Sequence, residues 1–326
     1  THKKIEFSAD NSYNQFMNYG FFRVASVSPS LSVADCDFNS KQIIELVKKA
    51  QDKKIKLLVF PELSICAYTC ADLFAQKKLQ EECYIALKNI CAETKNCNVL
   101  FCVGLPVELD SERFNCAAFI YKGKVLAFIP KSFIPNYSEF YESRWFASFS
   151  ENTVKQVSVF KGLEDIPFGT NIFIQDENDS SIKISAELCE DLWVPFSPST
   201  RHAINGATII ANLSASNEVA GKAEYRRMLV AGHSAKTVGA YIYANASHDE
   251  SSTDMIFSGH SIIAANGAIK AESSLFENTQ DFLIADIDLE KLTQDRVKST
   301  TFSRSTSFAK SEYKTIFVSG LQQEFF

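Results

Sequence analysis

Apolar positions along the chain gather in short dense runs separated by longer amphipathic stretches. The runs are FFRVASVS (from Phe21), IKLLVFPE (Ile55), NVLFCVG (Asn98), CAAFIYKGKVLAFIP (Cys116), TNIFIQ (Thr170), IKISAEL (Ile182), GATIIANLS (Gly206), AYIYANAS (Ala240), GHSIIAANGAIKAES (Gly259) and DFLIADID (Asp281). Most are dense in Val, Ile, Phe and Tyr, which predicts strands. Two hold a hairpin signal, Tyr121-Lys-Gly-Lys124 and Ala265-Asn-Gly-Ala268, and the Asn-Gly pair favours a type I′ turn. Between the runs, apolar side chains recur at three and four. This spacing predicts a helix capped by Asn39, with Ile43, Ile44, Val47 and Ala50 on one face, and further helices over 79–95 and 221–238. Shorter ones are expected at 201–206 and 289–297.

Strands alternate with single helices through the first two thirds, and hairpins accumulate afterwards. That order points to an α/β protein with helix-covered sheets. Many strands are apolar on both faces, so layers are expected on both sides. Residues 299–326 are rich in Ser, Thr and Phe and read as an extended tail or linker.

Composition narrows the function. At 326 residues the chain suits two domains or one large one. Its 33 Lys and Arg stand against 39 Asp and Glu, a net acidity that argues against nucleic acid or a polybasic membrane surface. The longest apolar stretch, Val99 to Val107, falls well short of the roughly 20 residues a membrane span needs. The N-terminal segment has no apolar core of a signal peptide. Nine cysteines, an odd number with no CxxC pair, read mostly as reduced packing residues in a cytoplasmic protein, with no metal site.

Three segments place a reactive side chain just past an apolar strand. LLVFPELS leads to Glu62, VLAFIPKSF to Lys131, and IKISAELCEDLW to Cys189. The carboxyl ends of strands are where side chains converge on a pocket in helix-covered sheets. A thiol needs a base or a cation to act as a nucleophile near neutral pH. Glu62 can take its proton, and Lys131 can stabilise a thiolate and then an oxyanion. The five histidines sit in no Cys-protease context. GxSxG, GxGxxG and GxxxxGK[ST] are missing, which removes support for a serine triad or a nucleotide loop.

Glu62 in VFPELS, Lys131 in IPKSFIPNY and Cys189 in SAELCEDLW resemble the Glu-Lys-Cys triad of the nitrilase, or carbon–nitrogen hydrolase, superfamily. Longer segments, among them PELSICAYTCADLF, PNYSEFYESRWF, CEDLWVP, ANLSASNE, YRRMLV and DESSTDMIFSGHS, resemble the N-terminal glutaminase domain of glutamine-dependent NAD synthetases. The resemblance implies a four-layer α-β-β-α sandwich over residues 1–298, followed by a linker at 299–326. It implies hydrolysis of glutamine to glutamate and ammonia, with Glu62 as base, Cys189 as nucleophile, Lys131 as oxyanion stabiliser and Glu139 as a second acid. Tyr137, Glu190, Trp193 and Ser216 fall where the family holds substrate, and Tyr68 falls near its ammonia exit. The bland alternatives are helix-end electrostatics for Glu190, aromatic packing for Tyr137 and Trp193, and a turn cap for Ser216.

The hydrolysis implies no cofactor. ATP and Mg belong to a synthetase domain with an SGGxDS-type loop, which this sequence lacks. The chain thus reads as the ammonia-producing half of a longer protein, with a synthetase domain as ammonia acceptor and a homo-oligomeric assembly by family analogy. A stand-alone amidase on another small amide and a non-catalytic assembly module remain as rival readings.

Overall fold

The computed structural model describes residues 20–150, 153–277 and 281–322. The N-terminal segment discussed above and the last residues of the tail lie outside them.

The strands are β1 (Phe21–Ser26), β2 (Leu57–Val59), β3 (Leu100–Leu109), β4 (Glu112–Tyr121), β5 (Lys124–Pro130), β6 (Lys155–Val157), β7 (Ile166–Phe168), β8 (Ile172–Asp176), β9 (Lys183–Leu188), β10 (Ile209–Ser214), β11 (Ala240–Asn245), β12 (Ile262–Ala265), β13 (Ala268–Glu272), β14 (Leu283–Asp288) and β15 (Lys314–Val318). They form two mixed sheets, ordered β14-β1-β2-β3-β4-β5-β7-β6 and β13-β12-β11-β10-β9-β8-β15. The helices are α1 (Cys36–Asp52), α2 (Lys77–Thr94), α3 (Pro198–Ile204), α4 (Lys222–Thr237), α5 (Leu289–Lys298) and α6 (Thr300–Ser305).

Strand periodicity decides which face meets which layer. In β2, Leu57 and Val59 point between the sheets, against Ile184, Leu213 and Ile242. Leu58 and the following Phe60 point outward into the core with Ile43, Val47, Leu87 and Ile90 of α1 and α2. On the far side, Ile210, Tyr241 and Tyr243 pack with Val230 of α4. Three apolar layers therefore separate helix, sheet, sheet and helix, which is the expected α-β-β-α sandwich. Fully apolar strands were needed because both of their faces are buried.

Both expected hairpins form. Lys122 and Gly123 (φ 47° and 75°) join β4 to β5, and Asn266 and Gly267 (φ 44° and 86°) join β12 to β13. Consecutive left-handed residues fit the right-handed strand twist.

Two expectations need correction. The first helix is capped by Asp35, whose side chain accepts the Phe38 N–H at 3.0 Å. Asn39 lies inside it, where its amide bridges Ser32 and the carbonyl of Ile65. The stretch after 299 is also more than a linker. It carries α6, and β15 pairs in parallel with β8 from Lys314↔Ile172 to Val318↔Asp176. Tyr313 stacks on Phe173 at 4.1 Å, and Val318 and Leu321 are buried in the inter-sheet core. Among the described residues, no helix is long and apolar enough to cross a membrane.

Candidate active site

Strands β2, β3 and β5 run one way in the first sheet, and β9, β10 and β11 are mutually parallel in the second. Their carboxyl ends deliver Glu62, Lys131, Cys189 and Ser216 to one edge of the sandwich.

Glu62 is fully buried and held from both sheets. Its Oε1 accepts the Asn115 amide at 2.6 Å and the Lys131 ammonium at 2.7 Å, and its Oε2 accepts the Ala215 N–H at 2.9 Å. The turn behind it depends on Gly104, where a Cβ would lie 2.0 Å from the Leu63 nitrogen. Leu63 itself is left-handed (φ 52°).

Lys131 is equally buried. Besides Glu62, its ammonium donates to both oxygens of Glu142, at 2.8 and 2.9 Å. Burial alone would lower the Lys131 pKa, but the charges of Glu142 and Glu62 outweigh it and hold the pKa well above the usual lysine range. Burial raises the pKa of Glu142, while Lys131 and the Tyr68 hydroxyl pull it back.

Cys189 opens a short 3₁₀ turn, Cys189–Leu192, directly after β9. Its φ of 38° is left-handed, an uncommon conformation for a side chain with a Cβ and one that recurs at functional sites. Asp191 secures the elbow. Its carboxylate accepts the N–H groups of Leu188 (3.0 Å), Ser132 (3.1 Å) and Phe133 (2.9 Å). One side chain thereby ties the Cys189 turn to the residues after Lys131. Burial first, and then the Glu62 charge, push the Cys189 thiol up, against the pull of Lys131 and a hydrogen bond from the Ala215 backbone. The resting group is a thiol, and its ionisation needs a base in place.

Cys189 forms the floor of a pocket of about 440 Å³ whose walls include Tyr137, Glu139, Glu190, Trp193, Ser216 and Lys222. The Tyr137 hydroxyl donates to Glu190 at 2.9 Å, and the Ser216 N–H donates to Asn245 at 2.8 Å. The buried Arg226 guanidinium backs Ser216, reaching its hydroxyl at 3.3 Å and the Asn217 carbonyl at 3.1 Å. Lys222 lies over the rings of Trp193 and Phe140, at 5.3 and 5.4 Å from their centroids. Burial lowers its pKa.

Glu139 and Tyr68 sit as follows. The second carboxylate in contact with Lys131 is Glu142, three residues beyond Glu139. Glu139 faces the pocket and accepts from the Asn217 amide. The loop after Lys131 turns through Tyr137 and Phe140, so the later glutamate meets the ammonium. Tyr68, expected near an ammonia exit, lies outside the residues lining the pocket, a placement that does not bear on an exit. It is buried behind Glu142 and donates to it at 2.6 Å. Sequence reading also missed Asn115, Asp191 and Lys222 as site residues. Only Lys222 left a usable trace, as a cation six residues past Ser216.

Known proteins bear on the family. Residues 23–297 match the carbon-nitrogen hydrolase family. The chain belongs to that family. Among its relatives, the carbon-nitrogen hydrolase described here is 34% identical to a glutamine-dependent NAD(+) synthetase of Mycobacterium bovis over 292 residues, 90% of this chain and 42% of that one. It is 26% identical to the Homo sapiens protein of the same name, over 88% of this chain and 41% of that one. A solved glutamine-dependent NAD(+) synthetase from Cytophaga hutchinsonii superposes with a TM-score of 0.72 at 28% identity, covering 82% of this chain and 43% of that one. An amidase from Nesterenkonia sp. AN1 shares the fold, with a TM-score of 0.64 at 18% identity over 85% of this chain and 95% of that one. The carbon-nitrogen hydrolase chain thus spans about two fifths of the synthetase relatives it matches.

Proposed function

We propose that this chain hydrolyses the side-chain amide of glutamine to glutamate and ammonia through a cysteine thioester. It would act as the ammonia-supplying domain of a glutamine-dependent NAD synthetase, whose synthetase domain uses the ammonia to amidate nicotinate adenine dinucleotide. The observation that supports this reading is a cysteine thiol lining a pocket, under the charges of a buried carboxylate–ammonium pair, with both signs of charge in the walls. An amino-acid substrate presents an ammonium and a carboxylate, and Glu190 and Lys222 supply complementary partners.

In the acylation step, the Cys189 thiol passes its proton to Glu62 while sulfur bonds to the amide carbon. Lys131 and a backbone N–H stabilise the oxyanion. The C–N bond breaks as Glu62 returns the proton to departing ammonia. Water then gives a proton to Glu62 and attacks the thioester, and glutamate leaves as the proton returns to sulfur. One carboxylate serves both halves because they are near mirror images.

A substrate comparison tests the pocket assignment. Lys222→Ala is expected to raise KM for glutamine about 10- to 100-fold with little change in kcat, the scale of a lost charge-assisted hydrogen bond. The same variant should process an uncharged aliphatic amide as the parent does. If uncharged amides outrun glutamine in the parent chain, the substrate class is wrong.

A further inference from the structure

The acidic stretch 248–254, HDESSTD, has the composition of a solvent-facing loop, yet Glu250 is only 6% exposed. Its carboxylate reaches into the turn that follows Glu62. Oε1 accepts the Tyr68 N–H at 2.7 Å, and Oε2 accepts the Thr69 N–H at 3.0 Å and the Thr69 hydroxyl at 2.6 Å. The Ser251 N–H closes the contact by donating to the same hydroxyl at 2.9 Å.

The turn carries bonds of its own, among them the Ala67 N–H to the Leu63 carbonyl at 2.8 Å and the Cys70 thiol to the Cys66 carbonyl at 2.9 Å, yet its backbone is strained. Ala67 and Ala71 flank it with φ of 76° and 49°, a backbone region that residues with a Cβ occupy only when their surroundings impose it. Three donors converging on one buried carboxylate supply that constraint. The loop bearing Glu250 is itself pinned, with Asp249 accepting the Leu31 N–H at 3.2 Å and Asp254 the Tyr141 hydroxyl at 2.7 Å.

The constraint has one visible beneficiary. Tyr68 is oriented so that its hydroxyl meets Glu142 at 2.6 Å while its ring packs edge-on against Phe257 at 5.7 Å. Glu142 in turn holds the Lys131 ammonium, which holds Glu62. A continuous chain of contacts therefore runs from a surface loop to the hydrolytic centre.

We infer that Glu250 is a positioning residue for the hydrolysis, setting the orientation of Lys131 through Tyr68 and Glu142. The inference rests on the hydrolytic reading above. Glu250 touches neither the pocket nor the reacting atoms. Its effect is transmitted as charge. The groups facing Glu142 are Lys131, Glu62 and the Tyr68 hydroxyl, with Cys189 and Glu190 also within reach of its charge, and the tyrosine bond favours the carboxylate over the acid. When the turn relaxes and that bond is lost, Glu142 takes up a proton at higher pH. Lys131 then loses one of its two counter-charges, and the acid limb of the kcat profile moves to higher pH.

The test uses the full chain with Glu250→Gln, Tyr68→Phe and the double variant. Glu250→Gln is expected to lower kcat for glutamine about 10-fold, the scale of one charge-assisted hydrogen bond, with KM little changed and the acid limb shifted upward. The double variant should be no worse than the poorer single one, because both changes break the same chain. Should Glu250→Gln fail to fold, Thr69→Ala removes one contact to the carboxylate and should give a smaller loss with the same shift. An unchanged pH profile, or losses that multiply in the double variant, overturns the inference. Alkylation of Cys189 by iodoacetamide, followed by peptide mass, separates this from the substrate reading. A parent chain that does not hydrolyse glutamine, but whose Cys189 alkylation slows in Glu250→Gln, would refute the substrate and retain the positioning role.

Discussion

Cys189→Ala is expected to abolish glutamine hydrolysis, by on the order of 10⁴-fold or more, while the chain stays folded. The substitution removes one sulfur from a buried position and keeps the Cβ, so the left-handed elbow and the Asp191 hydrogen bonds persist. The expected signature is twofold. Acid-quenched parent enzyme carries a glutamyl adduct on the Cys189 peptide, and the variant carries none. Because burial and Glu62 hold the thiol protonated, the parent should also lack the ultraviolet thiolate absorption of a preformed ion pair at neutral pH. Hydrolysis at the parental rate in the alanine variant would remove Cys189 from the chemistry.

Lys131→Met should be the most damaging change to the site as a whole. It leaves two carboxylates, Glu62 and Glu142, buried side by side without their shared cation. Breaking a buried pair from one side costs about 3–5 kcal/mol, and losing an oxyanion stabiliser costs roughly 10²–10³ in rate. The stability deficit has a sign in pH. Burial already raises the Glu142 pKa, and removal of Lys131 removes the charge that opposes this rise. A carboxyl group whose folded pKa lies above its unfolded value of about 4.3 destabilises the fold as pH rises past that value. The gap between variant and parent in urea unfolding should therefore widen from acid towards neutral pH. A gap independent of pH would mean that Lys131 does not act as the counter-ion.

The layers and the Glu62–Lys131 pair were legible because both rest on strong local patterns. Runs such as IKLLVFPE suit strands buried on two faces, and their ends mark the edge to which Glu62, Lys131 and Cys189 are delivered. What escaped has a common cause. Glu142 and Tyr68 lie in irregular segments with no period to fix which side chain turns inward, and three residues separate the expected Glu139 from the glutamate that binds Lys131. Asp191 and Asn115 act through contacts across sheets that no local pattern encodes. Asp35 displaced Asn39 as the helix cap because a start four residues earlier still buries Ile43, Val47 and Ala50. Strand β15 was hidden because only its last residue is buried, and its pairing partner β8 lies more than a hundred residues away.

All nine cysteines are free and buried. Eight belong to the two large apolar cores, and Cys189 alone of the nine is a lining residue of the active-site pocket. A small electrophile should therefore consume Cys189 at a rate set by the site. Cys91 and Cys97 keep a comparable exposure, 8% and 6% against 5% for Cys189, and the other six become available only as the cores open, at a rate set by fluctuations of the fold. The ratio of fast to slow uptake gives a measure of intactness that needs no substrate. An inactive preparation with the fast uptake of the folded parent has lost its chemistry, and one with more has lost its packing.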